Sequence, residues 1–179
     1  AFNGASVAAA VTAVAGLKKK SDFELVIYQK VSIGDGKQAN NPWLQELPDP
    51  ITKATWDNYA IVSPQFARKE LEIDISNPRH ADAYEVEMTK PVLEFTVGNK
   101  KIKLPIIIVP GFQANTIAIA VGYGREKVGQ ASNGVGQNAY PLLSYNGTTV
   151  DWAAADVKYA KVADKYEVGQ TQTHNNYEG

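Results

Sequence analysis

The sequence predicts a mainly β fold with a few helices, in which about seven or eight short strands form a closed or nearly closed barrel. Segments rich in β-branched and aromatic residues recur from residue 23 onward, as expected of strands. Turn signals separate them, namely Gly34-Asp35-Gly36, Gly98-Asn99 and Asn146-Gly147. We predict closure because it removes the unpaired backbone groups of edge strands.

Bulk composition excludes several classes of function. The 179 residues suit one domain, or one domain with an appendage, and a net charge of −1 gives no basic surface for nucleic acid. The absence of cysteine excludes disulfides, thiolate catalysis and iron–sulfur ligation within this segment. His80 and His174 are the only histidines and are far apart, so no metal site is predicted. No stretch is long and apolar enough to predict a transmembrane helix.

The first 21 residues differ in character from the rest. Residues 4–16 are rich in alanine and valine, and Gly16 is a plausible end for a short helix before Lys18-Lys19-Lys20. We therefore predict an N-terminal helix and linker over residues 1–21 and a barrel over residues 22–179. We also expect the chain to be a segment of a longer protein.

The first half of the barrel should contain two strands and a helix. Residues 23–31 alternate as a strand does, and residues 58–62 form the second strand. Ser63-Pro64 predicts a helix start, because serine caps the first turn and proline is tolerated in it. Residues 76–82 are predicted to be a polar loop.

The second half is predicted to be mostly hairpins. Leu93 and Phe95 should face inward across the Gly98-Asn99 turn, and residues 106–109 and 116–121 should be buried strands. Residues 122–139 are glycine-rich and predicted irregular. Hairpins are predicted over residues 142–150 and 157–168.

A segment rich in tryptophan and proline follows the first turn. Residues 41–50 read Asn-Pro-Trp-Leu-Gln-Glu-Leu-Pro-Asp-Pro, and Trp56 follows soon after. Three prolines exclude a regular helix or central strand through the whole segment. We predict that Trp43 and Trp56 are at least half buried and fix this loop against the barrel.

The glycine-rich block offers two motif matches that we reject. Gly124 and Gly129 have P-loop spacing, but Gln130 stands where the lysine is required. Residues 134–139 match the dinucleotide fingerprint, but Tyr140-Pro141 makes the required long helix improbable. Two interpretations stay open: an anion site built from backbone N–H groups and Arg125, or glycines that let a loop cross the barrel mouth.

The sequence contains no arrangement that indicates catalysis. Ser63, Ser132 and Ser144 lack a nucleophile-elbow motif. Paired acids such as Asp49 and Asp57 are placed in loops or on solvated faces, without a neighbouring base or nucleophile. We predict no catalytic residue in this segment, and whether the whole protein is an enzyme stays open.

Several motifs nevertheless resemble one family along residues 22–179. They are residues 23–30, the Asn-Pro-Trp segment at 39–50, Thr55-Trp56-Asp57-Asn58-Tyr59, Gly122-Tyr123-Gly124-Arg125 and residues 134–143. The family is the molybdopterin oxidoreductases of the dimethyl-sulfoxide-reductase type. The resemblance is to their C-terminal pterin-dinucleotide-binding domain, and within it to the large iron–sulfur subunit of bacterial alternative complex III.

The resemblance implies a double-psi β-barrel and a set of positions that would face the pterin. These candidate or vestigial cofactor-binding residues are Gln29, Lys30, Ala39, Asn40, Asn41, Gly122, Tyr123, Gly124, Arg125, Gly136, Gln137 and Asn138. Many catalytic relatives carry arginine and histidine pairs after the first strand, where this chain has Tyr28-Gln29-Lys30-Val31. The alternative-complex branch resembles a molybdoenzyme fold that no longer holds its cofactor.

Three hypotheses follow. The preferred one is a scaffold domain of a respiratory quinol-oxidising complex, docked against other domains of its chain and other subunits. It would lie at the periplasmic face of the bacterial cytoplasmic membrane without inserting, and iron–sulfur clusters elsewhere in the full-length protein would carry electrons. The second is a genuine domain for molybdopterin guanine dinucleotide in a molybdenum or tungsten oxidoreductase. The third is an unrelated β-barrel binding module.

Overall fold

The computed structural model describes residues 4–15, 21–145 and 147–172. The described part is mainly β, with nine strands and four α-helices. The predictions for Gly16, the three lysines, Asn146 and His174 fall outside the described residues.

The predicted N-terminal helix is confirmed as α1 (Gly4–Ala15). Its alanine-rich sequence favours helix because alanine loses no side-chain entropy there. None of its residues is buried, so its stability owes little to packing against the rest of the described chain. Among the described residues, no helix combines the length and apolar character needed to cross a membrane.

Seven strands form one mixed sheet. They are β1 (Glu24–Tyr28), β2 (Ala60–Val62), β3 (Thr89–Val97), β4 (Lys100–Ile108), β5 (Thr116–Ala120), β8 (Ala153–Ala154) and β9 (Val157–Glu167). Their order in the sheet is β8-β1-β5-β2-β4-β3-β9. Strands β6 (Ser144–Tyr145) and β7 (Val150–Asp151) make a separate pair. The strands β1 and β5 are parallel, as are β2 and β4, while β2 and β5 are antiparallel.

The predicted hairpin around Gly98-Asn99 is confirmed. Leu93 pairs with Leu104 and Phe95 pairs with Ile102, all on the buried face. The prediction of a last hairpin over residues 157–168 is wrong. Those residues form the single eleven-residue strand β9, which runs antiparallel to the whole of β3.

No closed barrel is found among the described strands, so the predicted closure is not confirmed. The strands β8 and β9 lie at opposite ends of the sheet order. Along β9 most side chains are exposed, and three of its eleven residues are lysines: Lys158, Lys161 and Lys165. Charged side chains protect an edge strand from pairing with another chain. The lysines of β9 therefore allow this sheet to keep an open edge.

The core occupies both faces of the sheet. Ile106 and Ile108 pack into the larger cluster with Phe66, Leu93 and Phe95, while Ile107 packs into a smaller cluster on the opposite face. Successive side chains of a strand point to opposite faces. The end of β4 is therefore buried on both sides, as the apolar run at residues 106–109 predicted.

The helices begin where capping residues allow. The hydroxyl of Ser63 accepts a hydrogen bond from the Phe66 amide at α3 (Pro64–Phe66), and a π-helical turn continues over Ala67–Leu71. The predicted loop at residues 76–82 is wrong, because α4 (Pro78–Val86) starts there. Its cap is Asn77, which accepts from the Arg79 amide, with proline in the first turn. Asparagine followed by proline is itself a helix-start signal.

The two tryptophans have different environments. Trp56 is partly buried, as predicted, and its amide donates to the Gln45 carbonyl oxygen. Trp43 is 81% exposed, so its predicted burial is wrong. It lies in the short helix α2 (Pro42–Glu46), whose buried residue is Gln45. A helix turns one face inward, and Trp43 is on the other face.

Candidate functional site

Two loops of the glycine-rich block meet in one open polar cleft of about 710 Å³. The first loop follows β5, and the second leads to the 3₁₀ turn Tyr140–Leu142. No long helix follows the fingerprint-like residues 134–139, in agreement with its rejection. Six of the twelve predicted cofactor-binding residues line the cleft: Tyr123, Gly124, Arg125, Gly136, Gln137 and Asn138.

Close backbone approach explains the glycines at the cleft. Gly124 has a φ of +67°, and a Cβ there would lie 2.2 Å from the Asn138 amide nitrogen. A Cβ on Gly36 would lie 2.5 Å from the Gly122 carbonyl oxygen and 2.6 Å from Arg125 Nε. Only glycine permits such contacts at positive φ without displacement. The turn at residues 34–36 and both glycine-rich loops are thereby packed together.

Arg125 is used in packing these loops. Its Nη2 donates to the Asp35 carbonyl oxygen at 2.9 Å, and the Tyr140 hydroxyl donates to the same oxygen at 2.7 Å. The Nε atom is buried without a partner among the described residues, and it faces the backbone of Gly36. If the domain is a scaffold, we expect Arg125 to pair with an acid or to cap carbonyl oxygens. The carbonyl contact fits that expectation.

Asp57 and Asn58, which were not among the predicted site residues, accept hydrogen bonds from the backbone amides of the second loop. The carboxylate of Asp57 accepts from the Gly136 amide at 2.9 Å, and the side-chain oxygen of Asn58 accepts from the Gln137 amide at 2.8 Å. The Asn58 amide group also donates to the carbonyl oxygens of Ala120 and Gln137, both at 2.9 Å. A carboxylate and an amide side chain therefore stand where an anionic ligand would need free N–H donors.

Lys30 lies beneath this region and is 3% exposed. Its ammonium is 4.7 Å from the ring centre of Tyr59 and 5.4 Å from that of Tyr123, close enough for cation–π attraction. Burial lowers the pKa of Lys30 to about 8, and the negative charges of Asp49 and Asp57 oppose that shift. Burial also raises the pKa of Tyr59 well above its usual value. Lys30 is therefore enclosed by aromatic rings and is not presented to the cleft.

The remaining predicted residues lie around the cleft without lining it. Gln29 and Asn41 are exposed, and Asn41 caps α2 by accepting from the Trp43 amide. Asn40 is exposed and accepts from the Ala131 amide at 3.0 Å, which ties its loop to the glycine-rich block. Ala39 and Gly122 are buried. The structure brings the predicted loops together, but half of the predicted residues do not line the cleft.

Asp49 lies in a loop, as predicted, but its side chain is not solvated. It is buried and accepts from the amides of Ile51 and Thr52, so it shapes the turn after the prolines. The Asp49-Pro50 pair is a signal for such a turn. Asp57 and Asn58 carried no comparable local signal, because their partners are 79 positions away in the chain.

The donor set at the cleft fits turn formation better than anion or metal chemistry. Among the described residues, no group of three or more histidine, aspartate or glutamate side chains could hold a metal ion. The backbone amides of Gly136 and Gln137 are already paired with Asp57 and Asn58. Comparison of the chain with protein-family models gives no match, and comparison with curated proteins gives no significant match.

Proposed function

We propose that this chain is a scaffold domain in a molybdopterin-oxidoreductase-like subunit of a respiratory quinol-oxidising complex, and that it does not hold the pterin cofactor. We further propose that its mixed sheet belongs to a double-psi β-barrel. Two parallel strand pairs support that fold: β1 pairs with β5 and β2 pairs with β4, and a long crossover joins the strands of each pair. The domain would dock peripherally at the membrane against other domains and subunits.

The observation that carries the scaffold proposal is the occupancy of the loop amides by the chain's own groups. Asp57 places a carboxylate on the Gly136 amide, and its second oxygen accepts from the Tyr166 hydroxyl at 2.9 Å. A phosphate brought to this amide would meet that negative charge at close range. Like charges at hydrogen-bonding distance repel strongly, so a dinucleotide would have to displace an internal bond.

A second candidate function is a genuine domain for molybdopterin guanine dinucleotide. The polar cleft and the presence of Arg125 in its lining favour it. However, the Nη2 of Arg125 already donates to Asp35. One of the five N–H donors of the guanidinium is thereby used within the chain, which fixes the side chain in the packing of the loops. We therefore place this function second.

A calorimetric titration of the chain with guanosine diphosphate distinguishes the scaffold function from the cofactor-binding function. The scaffold proposal expects no measurable binding, and it expects Arg125→Ala to lower only the free energy of unfolding. Arg68→Ala is a matched control, because Arg68 is an exposed arginine far from the cleft in sequence. This control should leave both binding and stability unchanged.

The cofactor proposal expects the opposite pattern. Nucleotide binding would be in the micromolar to millimolar range, would weaken with salt, and would be lost in Arg125→Ala but not in Arg68→Ala. Metal analysis of the intact protein gives a second test. Stoichiometric molybdenum or tungsten would refute the scaffold proposal.

A further inference from the structure

A second cavity lies between α4 and the end of β4 and shares no lining residue with the polar cleft. Its volume is about 310 Å³, at the lower end of the range for small-molecule pockets, about 300–1,000 Å³. Exposed Ile51 and Pro110 line it, together with partly buried Val109. Most of the surface that a ligand would meet here is therefore apolar.

The cavity lies where β4 loses its neighbouring strand. The pairing of β3 with β4 ends at Pro105, and the Tyr84 hydroxyl of α4 binds the backbone of the next residues. This hydroxyl donates to the Ile106 carbonyl oxygen and accepts from the Ile108 amide, both at 3.0 Å. One side chain thus satisfies the strand edge in place of a strand, which leaves space for a cavity beside it.

The uncharged polar groups of the wall are bonded to other parts of the chain. The Gln170 amide donates to the Thr52 carbonyl oxygen at 2.9 Å. The Thr52 hydroxyl is hydrogen-bonded to the Tyr59 hydroxyl, and the Tyr84 hydroxyl holds the end of β4. An apolar ligand would therefore leave these bonds intact, so its binding avoids the cost of covering polar groups that lack partners.

The wall also contains two buried charges of opposite sign. The Lys90 ammonium donates to the carbonyl oxygens of Tyr84 and Glu87 and lies 4.2 Å from the ring centre of Tyr84. Burial lowers the pKa of Lys90, whereas the negative charge of Glu85 raises it. Lys90 is 1% exposed, and both oxygens of the Glu85 carboxylate are closed off from solvent. Neither charge is therefore presented to a ligand.

These features select an uncharged ligand. A cation or an anion that entered the cavity would lose its water without gaining a charged partner, which is costly. An apolar cavity stays dry when empty, and one of about 150 Å³ is large enough to bind benzene. We propose that this cavity binds a small neutral apolar compound, such as a substituted benzene, in contact with Ile51, Val109 and Pro110. This binding does not depend on the scaffold function proposed for the chain.

The proposal is tested with toluene, benzylamine and benzoate, which share a ring and are neutral, cationic and anionic at pH 7. Each is titrated into the full chain, and binding is followed by NMR of the isoleucine methyl groups. Toluene should shift the methyl resonances of Ile51 and Ile107 saturably, with little effect on Ile33 in a separate core cluster. Benzylamine and benzoate should bind at least about tenfold more weakly, because each would bury an unpaired charge.

Three variants test the place of binding. Val109→Phe fills the cavity and should abolish toluene binding, whereas Val150→Phe, the same change at an exposed valine outside the cavity, should alter the affinity less than about twofold. Ile51→Glu places a carboxylate at an exposed position of the wall and should weaken toluene binding at least about threefold; it decides the test if Val109→Phe does not fold.

Three outcomes would each overturn the proposal. The first is equal affinity for toluene and for either charged compound. The second is unchanged toluene binding in Val109→Phe or in Ile51→Glu. The third is the absence of a saturable shift at Ile51 and Ile107.

Discussion

Replacement of Asn58 by alanine tests whether one side chain holds the glycine-rich loops in place. Asn58 is 1% exposed and makes three hydrogen bonds, two to the backbone of Gln137 and one to the Ala120 carbonyl oxygen. Each bond contributes a net of about 1 kcal/mol, and groups left unpaired in the interior add to the loss. We expect Asn58→Ala to lower the free energy of unfolding by about 3 kcal/mol.

The assay is urea unfolding followed by tryptophan fluorescence and circular dichroism. An unchanged dependence on urea would show that the variant unfolds from the same compact state. At this chain length, about 3 kcal/mol corresponds to a fall of roughly 6–12 °C in Tm. Asn138→Ala is the matched control, because Asn138 is exposed and makes one local bond to the Tyr140 amide; it should cost about 0.5 kcal/mol or less.

The outcome that would refute this reasoning is a loss below about 1 kcal/mol in Asn58→Ala, or a loss equal to that of Asn138→Ala. Either result would mean that the loop amides find water or other partners once Asn58 is removed. The claim that internal groups occupy the would-be anion site would then lose its main support.

Three further predictions concern other parts of the chain. Because the folded pKa of Lys30 is about 8, below the usual 10.5, the unfolded state binds more protons between those values. The free energy of unfolding should therefore rise between pH 8 and 10, by up to about 1.4 kcal/mol per pH unit. Urea unfolding at each pH should show that Lys30→Met removes this rise. A rise that persists in the variant would mean that other groups cause it. Trp43→Ala should change stability by about 0.5 kcal/mol or less, since the ring is 81% exposed; a loss of about 3 kcal/mol in urea unfolding would show that the ring packs in solution. Removal of residues 1–20 should leave a cooperative thermal transition, because α1 has no buried residue; a truncated chain without a transition in calorimetry would place the helix in the core.

Local signals predicted the local structure well. Ser63-Pro64 marked the start of α3, and the Gly98-Asn99 turn with its flanking alternation marked the β3–β4 hairpin. These elements depend on bonds between residues close in the chain, so composition and spacing are sufficient to specify them. The Asn77-Pro78 cap of α4 is an equally local signal, and it indicates a helix where the polar composition of residues 76–82 suggests a loop.

Pairing between distant segments was predicted less well. The sequence pattern of residues 157–168 predicted a hairpin. Residues 157–167 instead form the single strand β9, which pairs with β3 along its whole length. Closure of the sheet requires its two end strands, β8 and β9, to pair with each other. No local sequence pattern predicts such a pairing. Likewise, Trp43 and Trp56 belong to similar segments, and only the packing of α2 leaves one exposed and the other partly buried.

The sequence by itself determined the strand-rich character, the main turns and the glycine-rich block that forms the cleft, because these follow from backbone preferences of individual residues. The tertiary structure alone decided what the polar groups do. It pairs Asp57 and Asn58 with amides 79 positions away, encloses Lys30 among tyrosines, and buries the Glu85 carboxylate without a hydrogen bond among the described residues. Hydrogen bonding and desolvation depend on which groups meet in space, and residues distant in the chain supply them.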